Sequence, residues 1–336
     1  MSGQPPGRLR AAVDLLRPRT FFRTLSRVDS LVDTTRDLTA AVDALRIRTD
    51  QLLTIQRLDW DQRGELAEMR HWLDAGRIEK HVAQVVEAAT LARDPFPHTI
   101  VEPLLPADVY EHIRDAVPPS VFFQGGRDEH WAVPSGVAPL YSRQVWSFVA
   151  NTLAGDILYK ALNAKFGPVI REYVRTFCPT LPDDADLSLY PSDGRIMLRR
   201  PGYDLQPHRD PKWGFVTALM YLAHPGDSEE FGTQLYRVRE DPEATSGAVH
   251  YLERAQCELV RTVPFRANSM LVFLNSVGAH GAFIPSDAQP ATLERYLYQF
   301  RLGPTTKVIS RLVSLMPPDK AALWSGSKTG RLPGYR

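Results

Sequence analysis

Between residues 28 and 58 two rows of residues recur every seven positions. Val28, Thr35, Val42 and Thr49 form one row, and Leu31, Leu38, Leu45 and Leu52 form the second, offset by three. These are the a and d positions of a heptad, and β-branched a with Leu d favours a parallel two-stranded coiled coil. No Gly or Pro interrupts the stretch. The pattern predicts a helix that pairs with a second copy, making a homodimer, or docks on a partner helix. The alternative is a helix packed on the protein's own body. A second helical stretch runs to about Ala92, with Trp72, Ile78, Val82, Val85 and Val86 at near-helical spacing.

The pattern changes at Asp94-Pro95-Phe96-Pro97. Short apolar runs cut by Pro and Gly take over. They predict a strand from His98 to Leu105, a helix from Ala107 to Ala116 started by Pro106, and a helix from Val145 to Phe166. After Pro182 come seven predicted strands: Leu187–Tyr190, Arg195–Arg199, Phe215–Leu222, Gly232–Val238, Cys257–Val263, Ser269–Leu274 and Arg295–Leu302. Helices precede strands instead of alternating with them. The expectation is therefore a mainly β fold, a sandwich or barrel, with a helical N-terminal extension, and not a doubly wound sheet. The expected division is a helical extension over 1–92, a β domain over 93–310 and a tail over 311–336 that ends loop-like from Trp324.

Composition narrows the classes. The chain has 336 residues, with 40 Lys plus Arg against 39 Asp plus Glu, a net charge of +1. No basic excess is available to neutralise phosphates, so nucleic acid is not an expected partner. Cys178 and Cys257 are too few for a disulfide framework or a four-cysteine zinc site. There is no apolar run of transmembrane length and no secretory leader, which points to a cytoplasmic protein. Arg8, Arg10, Arg17, Arg19, Arg23 and Arg27, interleaved with Leu9, Val13, Leu16, Phe21 and Phe22, offer weak contact with an anionic membrane surface. The bland reading of this stretch is a basic tail leading into the first helix.

Phosphate loops, dinucleotide-binding glycine motifs, serine-nucleophile elbows and Cys-x-x-Cys pairs are all missing. What remains is His208-Arg209-Asp210, with His280 seventy residues after Asp210. Residues i and i+2 of an extended segment project to one side. His208 and Asp210 can thus reach one ion, and a loop after the apolar run Ser269–Leu274 can return His280 to it. Two imidazoles and one carboxylate leave open positions on a metal, a set suited to non-haem Fe(II) or Mn(II).

The surroundings resemble the core of the 2-oxoglutarate- and Fe(II)-dependent oxygenases, in the prolyl 4-hydroxylase-like branch. Pro201-Gly202 stands where that family has a Pro-Gly turn, and His208-Arg209-Asp210 resembles its His-x-Asp. Thr217-Ala218-Leu219-Met220-Tyr221-Leu222 is similar to its second core strand, and Gly232-Thr233-Gln234-Leu235 to the Gly-Gly-x-Leu that opens the next hairpin. Asn268 to Phe273 with His280-Gly281, and Arg295-Tyr296-Leu297, resemble the elements that follow; Pro95-Phe96-Pro97-His98 resembles the domain entrance.

The resemblance implies a double-stranded β-helix, or jelly roll, with the metal between two sheets and helices flanking it. It implies Fe(II), with 2-oxoglutarate as co-substrate and O2 as oxidant. The implied reaction hydroxylates an unactivated C–H bond of a small-molecule or peptidyl substrate, releasing succinate and CO2. His208, Asp210 and His280 would be the metal ligands. Arg295 would hold the distal carboxylate of 2-oxoglutarate by two parallel hydrogen bonds, with Arg301, six residues on along the same strand face, as its rival. Arg199 stands where many relatives carry Tyr, and either joins the co-substrate contacts or reads an acidic group on the substrate. Thr217 completes the co-substrate set, and Tyr203, Trp213 and Tyr221 are candidates for the substrate pocket. Two other readings stay open: a coiled-coil interaction protein with a degenerate jelly roll, and a cupin-like metalloenzyme that needs no 2-oxoglutarate.

Overall fold

The structure is a computed structural model, and it describes residues 18–124, 129–133, 135–192, 194–224, 226–239, 249–275 and 277–325. Arg8, Arg10 and Arg17 of the basic cluster lie outside these residues, as does the end of the tail after 325. The chain parts into two compact units, Met1–Arg57 and Leu58–Arg336. The larger unit therefore begins well ahead of the compositional change near residue 92.

The first helix, α1, spans Pro18–Asp61. At 1.5 Å per residue its 44 residues extend about 66 Å. Leu31, Leu38, Leu45 and Leu52 are each more than half exposed, and so is Val42. The threonines on this side do not present bare hydroxyls. Thr34, Thr35, Thr39 and Thr49 each donate to the carbonyl four residues back, at 2.7–2.9 Å.

In the larger unit α2 (Arg63–Trp72) and α3 (Ala75–Ala88) come first. The Asp74 side chain caps α3 by accepting from Arg77 N. Ile78, Val82 and Val86, at i, i+4 and i+8, are its buried stripe. Next is α4 (Ala107–Asp115). The helix expected from Val145 to Phe166 is longer: α5 (Leu140–Phe148), a π-helical run (Val149–Leu158) and α6 (Tyr159–Phe177) follow without a break. Pro168 lies inside α6, and so does not end it. After the strands come α7 (Thr306–Leu315) and α8 (Pro318–Ser325). Among the described residues no helix is long and apolar enough to cross a membrane.

Among the described residues twelve strands form two antiparallel sheets. The larger contains β1 (His98–Val101), β2 (His130–Ala132), β3 (Leu189–Pro191), β4 (Arg195–Arg199), β6 (Val216–Tyr221), β10 (Ser269–Leu274) and β12 (Arg295–Pro304). Its order is β1-β10-β6-β12-β4-β2, with β3 on the end of β12. The smaller contains β5 (Asp204–Arg209), β7 (Gln234–Val238), β8 (His250–Tyr251), β9 (Cys257–Thr262) and β11 (Ala279–Phe283), in the order β8-β5-β11-β7-β9.

Side-chain parity explains the packing. Tyr298 of β12 meets Trp146 of α5 at 5.3 Å between ring centroids, so helices cover one face of the larger sheet. The opposite face carries Met197, Leu219, Tyr221, Leu271, Phe273 and Leu297, which pack against Leu235 of the smaller sheet. Strands β6 and β10, covered on both sides, are buried at every position.

Four strands were not among the seven read from the sequence after Pro182 or the one before it: β2, β5, β8 and β11. Three residues make β2 and two make β8, too short for alternation to register. Pro207 interrupts β5, and Ala279, Gly281 and Ala282 give β11 little strand propensity. A bulge falls between these last two strands. His280 pairs with His208, but Ala282 already pairs with Leu205. Gly281 lies in this bulge, and a Cβ there would stand 2.7 Å from the Leu205 carbonyl oxygen. A second glycine, Gly202, adopts φ +86° in the turn before β5, a conformation glycine tolerates at no steric cost.

Candidate metal centre

The smaller sheet delivers both imidazoles. His208 is near the end of β5 and His280 is its register partner on β11, with ring centroids 4.2 Å apart. Asp210 follows β5 by one residue. One ligand atom from each of His208, Asp210 and His280 lies within 4.8 Å of the others. His208 Nε2 is 3.8 Å from Asp210 Oδ1, and His280 Nε2 is 3.9 Å from Asp210 Oδ2. All three residues are buried, at 5% exposure or less. Between them, Arg209 turns away and its Nε donates to Gly278 O.

Hydrogen bonds fix the orientation of two ligands. Asp210 Oδ1 accepts from Arg301 Nη2 at 2.6 Å, and Oδ2 accepts from Thr217 Oγ1 at 2.7 Å. Asn275 Nδ2 in turn donates to Thr217 Oγ1. Each carboxylate oxygen keeps a lone pair for a cation. His208 Nδ1 is 3.0 Å from Gln206 O; with the proton on Nδ1, the Nε2 lone pair faces the cluster. His280 Nδ1 is buried without a hydrogen-bond partner.

The protonation states suit a cation. Burial pushes the His208 imidazole below its ordinary range and the His280 imidazole well below it, so both are neutral near pH 7. Burial alone would raise the Asp210 carboxyl, but the Arg301 guanidinium beside it overcomes this, and the group is held below the usual carboxylate range. Two neutral imidazoles and one carboxylate, with room beside them, fit a borderline divalent ion such as Fe(II).

That room is a cavity of about 100 Å3. Besides the three cluster residues, its walls include Arg195, Arg199, Tyr203 and Arg301. The candidate residues divide accordingly. Arg199 and Tyr203 are brought to the cavity. Thr217 is brought to Asp210 and bonded to it. Trp213 packs near Phe215, and the Tyr221 hydroxyl accepts from Thr233 N within the core; neither is among the cavity walls. Arg295 is not among them either. Its Nη2 donates to Ser228 O at 2.8 Å, its Nη1 is 3.6 Å from Asp227, and its guanidinium lies over the Phe265 ring. Burial lowers its pKa.

Arg301, expected at the far end of its strand, bonds directly to the cluster through Asp210. Strand β12 continues to Pro304, so Arg301 is still in register, opposite Thr217. Gln299, two residues earlier on the same face, also lines the cavity and accepts from Arg195 Nε. The period-two spacing of Arg295, Leu297, Gln299 and Arg301 was the signal that could have found it.

No family model matches this chain, and no curated protein does. Solved structures similar to it include a prolyl-4-hydroxylase from Pseudomonas putida, at 18% identity, covering 67% of this chain and 99% of that one, with a TM-score of 0.36. The nogalamycin epimerase SnoN, in complex with Fe3+, alpha ketoglutarate and nogalamycin RO, is 14% identical over 68% of this chain and 84% of its own, with a TM-score of 0.41. HygX from Streptomyces hygroscopicus, with nickel and 2-oxoglutarate bound, is 16% identical over 62% and 83%, with a TM-score of 0.38. These scores lie below 0.5, and the chemistry of the centre is read from its own residues.

Proposed function

We propose that the protein is an Fe(II)- and 2-oxoglutarate-dependent dioxygenase that hydroxylates an unactivated C–H bond, on a double-stranded β-helix made by the two sheets. The observation that carries this reading is the buried cluster of His208, Asp210 and His280, two neutral imidazoles and an ionised carboxylate with ligand atoms within 4.8 Å. Bound there, Fe(II) with 2-oxoglutarate and O2 supplies oxidising chemistry whose by-products are succinate and CO2.

The chain's own part is to hold and aim. His208, Asp210 and His280 are the proposed ligands, and Thr217 and Arg301 keep the Asp210 carboxylate turned toward the ion. Arg295 is the proposed partner of the distal carboxylate of 2-oxoglutarate. In support, it shares a strand face with Arg301, is 1% exposed, and has an Nε without a hydrogen-bond partner. Its guanidinium would exchange Asp227 for the ligand's carboxylate. Arg199 is its register partner on β4. The buried Met197, Tyr203 and Leu219 among the cavity walls would limit water at the reacting bond.

The helix α1 is proposed to pair with a second copy in parallel. The exposed Leu31, Leu38, Leu45 and Leu52 row supports this. So do the threonines beside it, whose hydroxyls are already bonded and lose nothing when water is excluded. Asp29, Asp33, Asp37, Asp43 and Asp50 all fall at b, c or f positions, away from the seam.

Anaerobic titration with Fe(II) and 2-oxoglutarate tests the main reading. A weak visible charge-transfer band at one equivalent of each is expected. Iron uptake with no band and no 2-oxoglutarate binding at millimolar concentration would reject it in favour of a metalloenzyme that needs no co-substrate.

A further inference from the structure

The cavity has more positive charge than the proposed co-substrate can use. Arg195, Arg199 and Arg301 line it, and Asp210 is the only acid among its described walls. With Arg301 paired to Asp210 and Arg195 held by Gln299, the Arg199 guanidinium is a positive surplus with no acid for it among the described walls. Fe(II) and the dianion 2-oxoglutarate cancel each other and leave that surplus unchanged. An uncompensated guanidinium in a cavity with mostly buried walls is costly unless an anion joins it.

The donors are also unmet. Arg199 is 5% exposed and its Nε has no hydrogen-bond partner. The same holds for the hydroxyl of Tyr203, also 5% exposed, whose ring lies 5.2 Å from the Arg199 guanidinium carbon. Arg301 keeps its Nε unmet as well. Native structures rarely leave such groups unsatisfied, and several around one cavity indicate a ligand. Arg195 and Arg199 project from the same face of β4, with Met197 between them, and Arg195 is anchored to Gln299. The arginines thus form one wall.

We propose that the substrate carries a carboxylate or phosphate group, and that Arg199 receives it, with Arg195 and the Tyr203 hydroxyl beside it. This rests on the dioxygenase reading only in assigning the other anion to 2-oxoglutarate. A planar guanidinium offers a carboxylate or phosphate two parallel hydrogen bonds, so the group sets the orientation of the substrate as well as its affinity.

Inorganic phosphate is the probe. Full-length protein loaded with Mn(II) and saturating 2-oxoglutarate is titrated calorimetrically with phosphate, as wild type, Arg199→Gln and Arg195→Gln. Wild type is expected to bind phosphate while 2-oxoglutarate stays bound. Arg199→Gln should weaken phosphate at least about thirtyfold, the lower end for truncating one partner of a buried charge pair. The 2-oxoglutarate affinity of the same variant should change less than threefold. Should Arg199→Gln not fold, Arg195→Gln, altered at a half-buried position, reads the same loss. Mutual exclusion of phosphate and 2-oxoglutarate in wild type overturns the proposal, because one anion site would then serve both. Undiminished phosphate binding by Arg199→Gln also overturns it. Wild type that binds phosphate but no 2-oxoglutarate keeps the anion site and removes the dioxygenase reading instead.

Discussion

Along α1, Leu31, Leu38, Leu45 and Leu52 are 53–68% exposed, whereas His208, Asp210 and His280 are at most 5% exposed. The helix carries an apolar row with its polar groups satisfied: the threonine hydroxyls bond within the helix. The cavity carries the reverse, mostly buried walls with polar atoms, Arg199 Nε and the Tyr203 hydroxyl among them, that lack partners. Each region is incomplete in its own currency. An apolar row is completed by another apolar surface, at about 25 cal/mol per Å2 removed from water, with little regard for chemistry. An unmet guanidinium is completed only by a group of opposite charge and matching geometry. The helix thus speaks about assembly, and the cavity about ligands.

The largest effects should come from the cavity. His208→Ala or His280→Ala should abolish stoichiometric Fe(II) binding while the far-UV circular dichroism stays native. Unchanged iron content in both variants would break the assignment of the centre. Asp210→Ala should do the same to iron and also lower stability. It leaves the Arg301 guanidinium without its buried partner, a loss of about 3–5 kcal/mol in a urea titration of the metal-free protein.

Arg295 and Arg301 sharpen the comparison within one strand face. Arg295→Ala should weaken 2-oxoglutarate about 30- to 3,000-fold with iron retained, the range for 2–5 kcal/mol at a buried charge pair. Arg301→Ala should act chiefly on iron, through Asp210. The reverse pattern would mean that Arg301 is the co-substrate's partner. Equilibrium dialysis with Fe(II) and 2-oxoglutarate separates the two.

On the helix, Leu38→Glu with Leu45→Glu should halve the mass seen by light scattering and leave Fe(II) affinity unchanged. Equal masses for variant and wild type would show that the row does not join copies.

The smallest effect is a pH slope. Burial lowers the pKa of His98, which is 2% exposed. Above about pH 6.5 this imidazole is neutral in both folded and unfolded chains. Below that pH the unfolded chain takes up a proton that the folded one refuses, so stability falls as pH falls, by up to about 1.4 kcal/mol per unit for one such group. His98→Gln should flatten the slope in metal-free protein between pH 7 and 5, read as the shift in urea midpoint.

The sequence was most legible where periodicity and burial coincide. Strands β4 and β10 have the bounds their apolar patterns predict, and β6 differs by one residue at each end. The strands that carry the imidazoles, β5 and β11, were legible only through His208 and His280 themselves, since Pro207 and Gly281 erase the strand signature around them. Parity placed Arg295 and Arg301 on one face, but parity says nothing about depth. Three-dimensional twist and the extra length of β12 bring Arg301 to Asp210 and leave Arg295 with Ser228 and Asp227. Trp213 and Tyr221 were near the motif in sequence, and neither is among the residues that line the cavity. Thr217 was legible as part of the site, but its contact is the Asp210 carboxylate.

Gly281 acts as a spacer made of a single hydrogen atom. Any side chain there meets the Leu205 carbonyl, so the backbones of β5 and β11 must shift apart to admit it. Those two backbones are the jaws that hold His208 and His280. A methyl group at residue 281, pressed against the Leu205 carbonyl, would therefore reset the gap between them, and the bite of the centre is governed from behind by an atom that takes no part in its chemistry.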